Sequence, residues 1–72
     1  MTNVKLLDAK IKESGLKKGY IAEQLGISRA SLISLLNNKV EFKTSQLVVM
    51  CRLLNITDNE EVKAIFFTHN GA

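Results

Sequence analysis

Apolar residues recur along this chain at helical spacing, and no proline interrupts them. Val4, Leu7 and Ile11 stand at i, i+3 and i+7, which places their side chains on one face of a helix. No stretch of useful length alternates between apolar and polar residues, as a half-buried strand would. The sequence therefore predicts an all-α fold.

Glycine and serine set the first helix boundaries. Gly15 and Gly26 each permit the left-handed conformation that closes a helix. Ser28 can accept hydrogen bonds from the free N–H groups of the helix that follows it. The pattern predicts five helices, at residues 3–14, 18–25, 29–37, 46–54 and 58–67.

The last two helices carry capping signals of their own. Thr44 or Ser45 is expected to cap the run "QLVVMCRLL", which is nearly all apolar and should therefore lie at the centre of the core. The sequence "TDNE" matches a capping box, in which the side chain of Thr57 bonds forward and that of Glu60 bonds back. The acidic first turn of this helix also complements the helix dipole.

The chain has 72 residues, a length that suits one domain, 1–72, with a frayed tail at 68–72. Its 46% hydrophobic and 24% charged residues are typical of a globular protein. No apolar run approaches the roughly 18 residues of a membrane span, and the N-terminus lacks the order of a secretory signal. A cytoplasmic protein with no membrane partner is expected.

The sequence offers no constellation for catalysis. Cys51 lies inside an apolar run and is interpreted as a small buried hydrophobe rather than a nucleophile. His69 falls in the tail, and the carboxylates fall on caps and exposed helix faces. The glycines form no phosphate-binding pattern, and metal ligands do not cluster. We expect neither an enzyme nor a cofactor or metal.

The net charge is +3, and the charged residues are distributed unevenly along the chain. Through Lys43 the chain has eight basic and four acidic residues, whereas the remainder carries a balance of −1. A surface that faces phosphates would lie in the first two-thirds of the chain. The alternative is an ordinary solvated surface.

The stretch "YIAEQLGISRASLISLL" has the pattern of two helices joined by a tight turn. Small Ala22 lets the helices approach, Gly26 makes the turn, Ile27 fills the space beneath it, and Leu32 closes the angle. With its flanks, residues 16–39, it resembles the helix-turn-helix of the Cro/CI-type (XRE-like) regulators. The resemblance implies a compact five-helix, lambda-repressor-like domain with its motif at about 18–37.

The resemblance also implies that the helix at 29–37 enters the major groove of DNA, while the start of the preceding helix and the following loop contact phosphates. Without a role in binding, the lysines of these segments would simply be solvated, and the asparagines would serve only to end a helix. The residues that face the bases or a partner would be Arg29, Ala30, Ile33 and Ser34. The phosphate or polar rim would be Lys18, Asn37, Asn38, Lys39 and Lys43.

Two departures from the family pattern bear on function. Where family members often pair an arginine with a glutamate, this chain has Ile11 and Leu36, so Leu36 is expected in the core. Ile33 lies on the flank of the outward face, where it would contact a thymine methyl group or an apolar groove of a protein, or be a singly exposed aliphatic. Arg29 is the only side chain of this helix that could recognise guanine in bidentate fashion. One such residue is few for sequence-specific binding to DNA.

Two functions remain open on these residues. Some temperate phages pair a repressor with a small helix-turn-helix partner, and the chain looks like such a lytic-side anti-repressor of the lysis-lysogeny switch. Its partner would be the cognate repressor, in the cytoplasm of a bacterial host cell. The alternative is a Cro-like repressor that binds double-stranded operator DNA, alone or jointly with the repressor.

Overall fold

The computed structural model describes residues 1–67, which form five helices and no strand. The predicted all-α class is confirmed, and each predicted helix boundary agrees within two residues. The predicted frayed tail, 68–72, lies outside the described residues. The helices are α1 (Val4–Ser14), α2 (Lys18–Leu25), α3 (Arg29–Leu36), α4 (Thr44–Leu53) and α5 (Asn59–Phe66).

The helices pack around a single centre, to which each contributes one fully buried side chain. α2 lies against α3 and α4, while α1 lies against α3 and α5. On the edge of this core the rings of Phe42 and Phe66 meet edge to face, with centroids 5.4 Å apart. The five central side chains are Leu7, Ile21, Leu32, Met50 and Ile65.

The connections that frame α2 and α3 are short and follow from local sequence. Gly15 and Gly26 adopt φ values of 74° and 72°, as their predicted role in closing α1 and α2 requires. Ser28 caps α3 by accepting a hydrogen bond from the Ser31 N–H at 3.0 Å. α2, a three-residue turn and α3 thus form the predicted helix-turn-helix arrangement.

The predicted caps were wrong by one or two residues for α4 and by one residue for α5. Lys43, not Thr44 or Ser45, is the N-cap of α4, and Thr44 is the first helical residue. The Gln46 side chain accepts a hydrogen bond from the Lys43 N–H at 2.8 Å. Asp58, not Thr57, caps α5, and its Oδ1 accepts from the Glu60 N–H at 3.4 Å. Aspartate is a stronger N-cap than threonine, which explains the shift.

α4 covers one side of the core rather than passing through its centre, so the prediction of a central helix was wrong. Met50 is fully buried, whereas Leu47 and Cys51 are half-buried and Val48 is 59% exposed. Burial raises the pKa of the Cys51 thiol above its ordinary value. Among residues 1–67, no helix is long and apolar enough to cross a membrane.

Candidate functional site

α3 divides its side chains between the core and the surface. Leu32 and Leu35 point inward and are buried. Arg29 and Ala30 are exposed on the opposite side, and Ser34 beside them is half-buried. The structure therefore places the predicted base-facing or partner-facing residues together on the outer side of one helix.

Ile33 completes this outward face and is 41% exposed. It also borders a groove of about 280 Å³ that runs between α1 and α3, which we call the α1–α3 groove. The side chains that line the groove are Val4, Lys5, Asp8, Lys18, Ile33, Leu36 and Asn37.

Leu36 lies between the core and the surface, a position that the sequence did not indicate. It packs against the hydrophobic core, as predicted, but it is only half-buried and its remaining surface lines the α1–α3 groove. Ile11, the other member of the apolar pair, is 97% buried, since only 3% of it is exposed. The expected place of Leu36 in the core is therefore found in part, since some of its surface remains open to the groove.

The predicted polar rim surrounds α3 on several sides. Lys18, the first residue of α2, lines the α1–α3 groove together with Asn37, which caps the C-terminus of α3. Lys39 is exposed in the loop after α3. Lys43 is also exposed and lines a second groove, on the α4 side of α3.

Asn38 is held within the protein. Its backbone is left-handed, with φ 59°. The side-chain Oδ1 accepts a hydrogen bond from the Thr2 N–H at 3.0 Å, and Nδ2 donates to the Thr2 carbonyl at 2.7 Å. Next to this pair, the Asn3 N–H donates to the Ile65 carbonyl at 2.6 Å. The Asn38 amide therefore fixes the loop after α3 to the start of the chain rather than pointing toward solvent.

Lys10, Lys12 and Lys63, on α1 and α5, pair with carboxylates, whereas the cations around α3 do not; Lys17 and Arg52 are also without an ion pair to any described residue. Away from α3, Lys10 lies 2.6 Å from a Glu61 oxygen, and the hydrogen bond to Glu61 raises the pKa of the Lys10 ammonium. Lys12 and Lys63 likewise pair with carboxylates on their own helices. Around α3, five cations form no ion pair with any residue in the described part of the chain: Lys5, Lys18, Arg29, Lys39 and Lys43.

Carboxylates are also scarce along this surface. No acidic residue occurs from Gln24 to Val40, a segment that includes the turn, α3 and most of the following loop. Asp8, the acidic residue of the α1–α3 groove, is engaged by Lys12 at 3.5 Å. The surface around α3 thus carries positive charge that a negatively charged partner could neutralise.

Sequence reasoning missed the contribution of α1 to this site. Val4, Lys5 and Asp8 line the groove, yet the sequence interpretation assigned them no functional role. Their spacing puts them on one face of α1, which is a detectable signal. What could not be seen was that this face lies beside α3, because that depends on tertiary packing.

Within residues 1–67, no three side chains among His, Cys, Asp and Glu come close enough together to hold a metal ion. His69 lies outside the described residues. A scan against protein-family models finds no match for the chain, and searches of curated proteins and of solved structures also find none. The chemistry of the surface around α3 is therefore the basis for a functional proposal.

Proposed function

We propose that this chain is a transcriptional regulator of a phage genetic switch, an anti-repressor that binds the DNA-binding domain of its cognate repressor. The outward face of α3 would make the contact, in the cytoplasm of the bacterial host. The observation that carries the proposal is the exposure of Ile33, which lies on the flank of this face and borders a groove with an apolar floor. Apolar contact surrounded by polar groups is typical of protein interfaces.

The side chains around Ile33 support a protein partner. Ala30 and Ser34 are short, so a partner can approach the α3 backbone closely and cover Ile33. Arg29 forms no ion pair with any residue in the described part of the chain and can form a charge-assisted pair with a carboxylate of the partner. A buried apolar anchor beside an arginine is a common composition for an energetic hot spot.

Direct operator binding is the second candidate, and a specific observation favours it. The absence of carboxylates from Gln24 to Val40 suits a phosphate backbone as well as an acidic protein. In this case α3 would enter the major groove, with Arg29 on a guanine and Lys18, Lys39 and Lys43 near phosphates.

One titration separates the two functions. The purified chain is added to the repressor encoded beside it, to the promoter DNA next to its own gene, and to the complex of that repressor with that DNA. The proposal predicts a stable complex with the repressor in the absence of DNA, and release of the repressor from its operator. Tight, sequence-specific binding of the chain alone to DNA, with affinity that falls steeply as salt increases, would support the alternative instead.

A further inference from the structure

We infer that the α1–α3 groove is a receiving site for one apolar side chain of the partner, with a carboxylate of the same partner held by Lys5 and Lys18. This inference rests on the proposed function and adds to it a second contact, made by α1. From the sequence, a protein partner was expected to offer an apolar groove to Ile33. The structure places Ile33 in the wall of a groove on this chain.

The floor of the groove determines what can occupy it. Val4 and Leu36 are half-buried, and Ile33 is exposed, so three aliphatic side chains face a shared concave space. Covering aliphatic surface with another apolar group removes it from water, whereas a phosphate or the hydrogen-bonding groups of a base edge would leave it without a favourable contact. The groove therefore favours an aliphatic or aromatic side chain.

The size of the groove limits the occupant further. Its volume of about 280 Å³ lies at or below the lower end for pockets that enclose a drug-sized ligand. A single projecting side chain, presented by a folded partner, fits such a space better than a separate small molecule does.

The charges at the groove define the neighbours of that side chain. Lys5 on α1 and Lys18 on α2 both line the groove, and neither pairs with a carboxylate in the described part of the chain. Asp8, the groove's acidic residue, already lies 3.5 Å from the Lys12 ammonium. Charge complementarity therefore calls for an acidic residue within about one helical turn of the inserted side chain on the partner.

Charge reversal tests the assignment, with the DNA-binding domain of the neighbouring repressor as the probe in calorimetry. Lys5→Glu lies in the groove but outside the α3 face. Lys63→Glu makes the same change in net charge on α5, so it controls for long-range electrostatics. We expect Lys5→Glu to weaken binding at least about tenfold and Lys63→Glu less than about twofold, with thermal melts confirming that both variants fold.

A second pair of variants tests the apolar floor. Val4→Ala removes groove surface, while Val48→Ala removes a comparable amount from an exposed site on α4. We expect weaker binding for the first only, measured at a temperature where both variants are folded.

The outcomes separate the groove from the proposed function. If the wild-type chain binds the repressor but each variant has the same effect as its control, the role of the groove is overturned and the proposed function stands. Failure of the wild-type chain to bind the repressor at all would overturn both. Restored affinity, when Lys5→Glu is combined with an acidic-to-lysine change in the repressor, would identify the paired carboxylate.

Discussion

Asn38 holds the backbone of Thr2 by both of its polar groups, the N–H at 3.0 Å and the carbonyl at 2.7 Å. The two residues are 36 positions apart, and Thr2 is only 7% exposed. The pair therefore joins the start of the chain to the exit of α3, next to the candidate site.

Replacing Asn38 by glycine is expected to remove this connection without straining the backbone, because glycine accepts a positive φ. Asn55 provides the matched control, since it has φ 57° at the exit of α4. No side-chain hydrogen bond is found for Asn55 among the described residues. In urea denaturation, Asn38→Gly should lower the free energy of unfolding by about 1 to 2 kcal/mol more than Asn55→Gly does. Equal losses would mean that the two hydrogen bonds contribute nothing net.

Leu32 and Leu47 should differ in their contributions to stability. Leu32 is fully buried at the centre of the core, so Leu32→Ala should cost about 2 to 5 kcal/mol. Leu47 is half-buried on α4, and Leu47→Ala should cost about 1 to 2 kcal/mol. Because small domains are stable by only about 5 kcal/mol or somewhat more, thermal melting should show a cooperative transition for the second variant and little or none for the first. Similar melting temperatures would contradict this placement of the core.

The cap of α5 can be tested with adjacent alanine substitutions. Asp58→Ala removes the side chain that accepts the Glu60 N–H and lies at the positive end of the helix dipole. We expect a loss of about 0.5 to 1 kcal/mol from the free energy of unfolding. Thr57→Ala should change it by less than about 0.5 kcal/mol. A larger loss for Thr57→Ala than for Asp58→Ala would restore the capping box that the sequence predicted.

The Cys51 thiol should react slowly while the protein is folded. Its raised pKa lowers the fraction of thiolate, which is the reactive form, at any pH below that pKa. At pH 8 we expect alkylation by iodoacetamide to be at least several-fold slower in buffer than in denaturant, with glutathione correcting for the effect of denaturant on the reagent. Equal corrected rates would indicate a freely accessible thiol.

Ile33 is expected to be a hot spot if the proposed function holds. Ile33→Asp should leave the fold intact, because the side chain is exposed, yet weaken repressor binding by about 30-fold or more, equivalent to about 2 kcal/mol. Val48→Asp places the same charge at another exposed aliphatic residue, on α4, and should have little effect. Calorimetry against the repressor measures both, and unchanged affinity of Ile33→Asp would exclude Ile33 from the interface.

The parts of the fold that were predicted are those encoded by neighbouring residues. Gly15, Gly26 and Ser28 fix helix ends through their own conformations and hydrogen bonds, so the bounds of α1, α2 and α3 followed from the sequence. The exposure of Val48 did not follow, because an apolar helix at the side of a core looks the same in sequence as one at its centre.

The candidate site shows the same division. Helical periodicity was enough to place Arg29, Ala30 and Ile33 on the outside of α3. The contribution of Val4 and the engagement of Asn38 by Thr2 both depend on where α1 and the N-terminal residues pack, which no local pattern encodes.

The outward face of α3 contributes none of its side chains to the hydrophobic core. Arg29, Ala30 and Ile33 are exposed, while the packing of α3 depends on Leu32, Leu35 and Leu36 behind them. Mutations on the outer side can therefore accumulate at little cost in folding, since exposed substitutions usually change stability only slightly. A lineage carrying this scaffold could exchange one binding partner for another within a few substitutions, because, apart from Leu36, selection for foldability and selection for recognition act on different residues of the same helix.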